Sequence, residues 1–168
     1  MLIYNPAFDL HHSVFRFLQI LTAAPERRYE VERLRILDFF LLFPEQIENI
    51  RFPRELRGKK SLFRQNYNPY RSIENPRRLF SDITPFQLVA LQSLAAHNLI
   101  APDAFQDGIV QRTTQPLPDR LATSVANRVK LTPALIDLVS GDLARLPLHG
   151  AGGLKDRANL QDTRYDAA

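Results

Sequence analysis

Residues 29–44 read YEVERLRILDFFLLFP, and this stretch decides the fold. In its first half Val31, Leu34 and Leu37 alternate with Glu30, Glu32, Arg33 and Arg35, as one face of an amphipathic helix does; Phe39 to Phe43 is apolar all round. A helix without a polar face must be covered on every side, so residues 29–43 are expected as the second helix and the centre of the core. Pro44 ends it, because proline disfavours helical geometry in the residue before it. Asp38 sits inside the apolar run, where an isolated charge is costly and demands a partner.

Working outward, Leu10, Val14, Phe17, Leu18 and Leu21 follow one helical face, with Pro25 just beyond, so a first helix covers about residues 9–24. Arg16 lies within that apolar periodicity and is the candidate counter-ion for Asp38. A short helix is expected at residues 45–50. Thr84-Pro85-Phe86-Gln87 has the form of a helix start, with a capping Thr, a proline that needs no amide donor and a Gln that completes the box. That helix runs to about Asn98. Leu99-Ile100, a polar turn and Gly108 to Arg112 then read as a β-hairpin. Leu121, Val125 and Val129 give another helix, and Thr132-Pro133 opens one more, weakened at Gly141 and ended by Pro147. The fold class is therefore mainly α with a small β-hairpin. The order of elements is that of a winged-helix-like helical domain, one domain over residues 1–168, with a partly flexible tail from about His149.

Composition narrows the chemistry. The 168 residues are 45% hydrophobic and 24% charged, as in a globular chain. They contain no cysteine, which excludes a disulfide framework, a thiolate zinc site and a cysteine nucleophile, and a reducing cytoplasm is the simplest setting. Asn5-Pro6 would interrupt a signal peptide, and the apolar run ending at Phe43 falls far short of the roughly 20 residues of a membrane helix, so no membrane is expected.

Between residues 51 and 80 nine Arg and Lys face only two Glu, while the whole chain carries a net +4. Arg54, Arg57, Lys59, Lys60, Arg64, Arg71, Arg77 and Arg78 are the candidate contacts to double-stranded DNA or to an acidic protein surface. Phe52, Phe63, Tyr67, Tyr70 and Phe80 are interleaved with them and could stack on bases. The plainer alternative is a loop whose aromatics anchor it and whose arginines are only solvated. Gly58, Pro53, Pro69 and Pro76 make the segment loop-rich.

No catalytic constellation emerges. Asp9, His11 and His12 are the only clustered metal-ligand types, but on a helix only Asp9 and His12 share a face, a third ligand for them is missing, and Asp9 is better placed as a helix cap, so no metal is expected. His149-Gly150-Ala151-Gly152-Gly153 is similar to the oxyanion loop of some esterases, yet the chain has no Gly-x-Ser-x-Gly elbow, and the Gly-Lys-Ser/Thr of a phosphate loop is missing too. No cofactor is implied. The residues leave two classes open beside a hidden enzymatic site: an adaptor, or a winged-helix transcriptional regulator. The latter would read DNA with residues 85–98 through Gln87, Gln92, Ser93, His97 and Asn98, a helix that carries no Arg or Lys.

Tyr4-Asn5-Pro6-Ala7-Phe8-Asp9, His12, Phe15-Arg16 and residues 34–44 (LRILDFFLLFP) together resemble the middle component of bacterial ABC-three component systems. Gly153-Leu154-Lys155-Asp156-Arg157 with Arg164-Tyr165-Asp166 is similar as well. Lamassu-type systems look related in organisation. The resemblance implies a small non-enzymatic adaptor encoded between a Rad50- or SMC-like ABC ATPase and an effector component, in defence against phage and plasmids. It implies no catalytic residue.

Overall fold

The computed structural model describes residues 5–66, with backbone alone for 64–66, and residues 73–161. The candidate side chains of Arg64 and Arg71, with Tyr67, Tyr70 and residues 164–166, lie outside the described residues.

Asp9 accepts the His12 amide at 3.0 Å and so caps α1, Leu10–Ala23. A three-residue strand, β1, follows at Arg28–Glu30 and leads directly into α2, Val31–Leu42. Tyr29 and Glu30 thus belong to a strand and not to the second helix. Their backbone pairs antiparallel with β2, Ile109–Gln111, Tyr29 opposite Val110, a long-range partnership that local periodicity does not encode. After the 3-10 turn Pro44–Asn49 come a 3-10 turn at Arg54–Leu56, a single α-turn α3 at Arg57–Lys60 and a further 3-10 stretch from Ser61 to Asn66.

The long helix α4 spans Pro76–Ala96, nine residues earlier than the Pro85 start read from the sequence. Asn75 is the cap, its side chain accepting the Arg78 amide at 3.0 Å, and Pro76 takes the first helical position. Phe80 and Ile83, both buried, hold this first half on the core, so the helix continues through Pro85 despite the amide it lacks. Residues 76–80 of the basic segment are therefore helical and not loop.

Beyond α4, Ile100 bridges Arg112 and the Ala101 amide donates to Gln111 at 2.9 Å, while α5, Pro102–Gln106, fills the turn between. The sheet has two strands, and β2 lies between β1 and the Ile100 bridge. Then come α6, Asp119–Leu131, and α7, Pro133–Ile136, which passes into a π-helical turn at Asp137–Asp142 and a 3-10 turn at Leu143–Arg145. Residues 149–161, read from the sequence as the start of a loose tail, contain α8, Leu154–Ala158, and bury Leu154, Ala158 and Leu160.

The core lies where α1, α2 and α4 meet. Phe17, Leu18, Ile20 and Leu21 of α1 face Leu34, Leu37, Phe39 and Phe40 of α2 and Phe80, Ile83 and Leu91 of α4, all buried. Phe39 is its hub, 5.6 Å from Phe40, 5.1 Å from Phe43 and 5.7 Å from Phe80 between ring centroids. Each such phenyl ring removed from water contributes about 1.5–3 kcal/mol.

Candidate functional site

Asp38 and Arg16 form a closed unit inside this core. Asp38 is fully buried, and Arg16 grips it with Nε to Oδ1 at 2.7 Å and Nη2 to Oδ2 at 3.1 Å. Gln87 Nε2 donates to the same Oδ2 at 2.8 Å and to the Arg35 carbonyl at 3.1 Å. Arg35 returns a bond from Nε to Gln87 Oε1 at 3.1 Å, reaches Thr84 Oγ1, and lies 4.9 Å from the Phe80 ring centroid. Burial holds the Arg35 guanidinium below its ordinary pKa, although it has no reason to lose its charge near neutrality. The network joins α1, α2 and α4 and leaves no carboxylate oxygen of Asp38 for chemistry; it positions helices. Gln87 and Thr84, expected at the surface and at a cap, are the members that sequence reasoning missed.

The loop at His149 is likewise closed. The Gly152 amide donates to Asp156 Oδ2 at 2.9 Å, Gly153 to the Gly150 carbonyl at 3.0 Å, and Leu154 to Pro147 at 2.7 Å. An oxyanion hole needs amides aimed at empty space, and these three are engaged. Arg51 Nη2 pairs with Asp156 Oδ1 at 2.7 Å, and Arg157 Nη1 donates to the Arg51 carbonyl at 2.6 Å, so the segment is a latch onto the start of the basic stretch. The Gly152 amide first, then Arg51, holds the Asp156 carboxyl below its ordinary range. At the amino terminus Asp9 serves as a cap, and among the described residues no three His, Asp or Glu converge as a metal site would require.

The basic segment divides. Lys59 pairs with Asp142, Arg77 donates to the Asn159 carbonyl at 3.0 Å and to its side chain, and Arg78 sits 3.8 Å from Asp82. Arg54, Arg57 and Lys60 have no such partner among the described residues, with Arg54 and Arg57 exposed and Lys60 half-buried. Phe52, Phe63 and Phe80 are buried, so these rings anchor the segment and are not presented for stacking.

Part of the remaining surface is apolar. On α4, Pro85, Leu88 and Val89 are exposed, and Phe8 stands beside them, 40% exposed and edge-on to Phe86 at 5.5 Å. Leu41, Leu42 and Phe43, expected to be covered on every side, are only half-buried: with Phe15 and Leu135, and with the polar His12, Gln19, Glu45 and Arg128, they line a groove of about 830 Å³. No helix among the described residues is long and apolar enough to cross a membrane.

Among the described residues these features define a mainly helical protein whose buried polar network and His149 loop are closed upon themselves, and whose open features include an apolar patch on α4, a groove of mixed lining and the cations Arg54, Arg57 and Lys60. The chain belongs to the family of ABC-three component (ABC-3C) system Middle Component 5, whose family model matches residues 2–166. No curated protein and no solved structure matches it.

Proposed function

We propose that this chain is a non-enzymatic adaptor: the cytoplasmic middle component, Lamassu-like in organisation, that joins a Rad50- or SMC-like ABC ATPase to an effector component in a bacterial defence system against phage and plasmids. Family membership over residues 2–166 carries the reading. The surface supports it, because exposed Leu88 and Val89 beside Phe8 suit a protein contact, whose centre is poor in charge and rich in apolar side chains. ATP hydrolysis occurs in the partner, and the adaptor shifts the partner's equilibrium by binding one state better than another.

The order α1, β1, α2, α4, bridge, β2 supports a winged-helix relationship. A free-standing regulator is less favoured: of the would-be reading helix Gln87 is buried, Pro85, Leu88 and Val89 occupy much of the exposed face, and although Gln92, His97 and Asn98 are exposed, residues 85–98 carry no Arg or Lys. Duplex bases are read by hydrogen-bonding side chains, above all Arg, Lys, Asn and Gln.

Co-expression with the products of the two neighbouring reading frames tests the proposal. The wild-type chain is expected to co-purify with an ATPase, and Leu88→Glu with Val89→Asp is expected to lower recovery on the order of tenfold. An exposed substitution should move stability by no more than about 0.5 kcal/mol, so the unfolding midpoint serves as control. An isolated wild-type chain beside fully expressed neighbours refutes the adaptor reading.

A further inference from the structure

We infer that the turn carrying Arg54, Arg57 and Lys60 grips the phosphate backbone of duplex DNA without reading its sequence, with Gly58 as the point of closest approach. The inference deepens the adaptor reading by giving that component a nucleic-acid contact of its own. Three observations carry it.

The first is the sorting of the cations. Arg51, Lys59, Arg77 and Arg78 have acidic or amide partners within the chain, whereas Arg54, Arg57 and Lys60 have none among the described residues. The second is their spacing. They fall at i, i+3 and i+6 across the 3-10 turn Arg54–Leu56 and the α-turn Arg57–Lys60. Three-residue steps keep side chains on one edge of such turns, and six residues rise about 9–12 Å. One strand of a duplex carries a phosphate for roughly every 3.4 Å of its axis, and the long Arg and Lys side chains of such a row can reach successive phosphates. Glu55 is one position off the row, about 120° round the turn.

The third observation is Gly58. A Cβ built there meets nothing within 4 Å, and its φ is not in the left-handed region, so neither internal packing nor backbone geometry calls for glycine. Glycine costs a helix more than any other residue except proline. A bare backbone between Arg57 and Lys59 is explained from outside, by a ligand that must come close to the main chain.

The turn is also held in place. Buried Phe52 and Phe63 anchor it on either side, Ser61 Oγ donates to the Gly58 carbonyl at 2.9 Å, and Lys59 ties α3 to Asp142. Of its exposed residues only Leu62 is a large apolar side chain, which favours phosphates over a protein surface, whose centre would need apolar cover.

The test measures binding of a random-sequence 30-base-pair duplex across a salt series, with the full chain alone and in complex with its co-purified partners. Replacing Arg54, Arg57 and Lys60 together by Ala is expected to weaken binding on the order of tenfold. It should also flatten the dependence of log K on log salt by roughly 2.7, about 0.9 per lost phosphate contact. Gly58→Gln, which keeps the charge, should weaken binding several-fold with an unfolding midpoint no lower than that of wild type. Equal replacement of the exposed Arg120, Arg128 and Lys130 of α6 controls for net charge. The inference is overturned if the α6 set matters as much as Arg54, Arg57 and Lys60, if Gly58→Gln binds like wild type, or if polyglutamate binds through those three cations and the duplex does not. Any of these outcomes with partner co-purification intact leaves the adaptor reading standing.

Discussion

Asp38 has the most to lose from a single substitution. Its two carboxylate oxygens accept Arg16 and Gln87 with no water available to replace them. Asp38→Ala should cost about 3–5 kcal/mol in urea unfolding, because Arg16 is then left buried without a counter-ion, with only the Ser13 hydroxyl and the Pro6 carbonyl to receive it. The double variant Arg16→Met, Asp38→Leu should recover most of that loss, as matched apolar replacement of buried pairs does. Two glycines give a second contrast. A Cβ at Gly153 would stand 2.4 Å from the His149 carbonyl oxygen, so Gly153→Ala should cost about 1–3 kcal/mol. Gly58→Ala, with nothing nearby, should raise stability by up to about 1 kcal/mol. The need of Asp38 for a cation was legible in the sequence, since a charge in an apolar run has few ways to survive. Gln87 was not: a neutral amide beside polar neighbours carries no rule that sends it inward.

At the scale of elements, α4 shows how two equivalent signals compete. Asn75-Pro76 and Thr84-Pro85 both have the form of a helix start, and only the burial of Phe80 and Ile83 selects the first. Asn75→Ala should therefore cost about 1 kcal/mol as the loss of a true cap. Thr84 contributes differently, donating to the Phe80 carbonyl at 3.0 Å and accepting from Arg35. α8 gives a pH prediction. Asp156 titrates below its ordinary range when folded, so its contribution is present above the unfolded carboxyl pKa and is lost as pH falls through the depressed folded value. Asp156→Asn should be less stable than wild type at neutral pH, and the gap should close on acidification, as thermal unfolding at a series of pH values would reveal. α1, α6 and the end of α2 were legible because their periodicity or their proline stops are local. β1 was not, since three residues acquire a strand's identity only from a distant partner.

For the molecule as a whole, the surplus of arginine is a poor measure of its attraction for acids. Arg33 donates to the Ala144 carbonyl at 3.0 Å and also reaches Leu146; Arg27 reaches the carbonyl of Ser140 inside the π-helical turn; Arg112 reaches the Leu99 carbonyl. These guanidinium groups tie distant stretches of backbone together, a use that composition cannot separate from a solvated face. The pairing of β1 with β2 has one more consequence. Tyr29, wholly buried, acquires its partner Val110 only across about eighty intervening residues, a closure whose entropy grows slowly with length but cannot begin before both ends exist. A nascent chain on the ribosome must therefore hold its first two helices with one flank wet until the second strand emerges. Shortened translation products ending before Gly108 would display that flank to chaperones and proteases, which makes completion of synthesis a checkpoint for assembly.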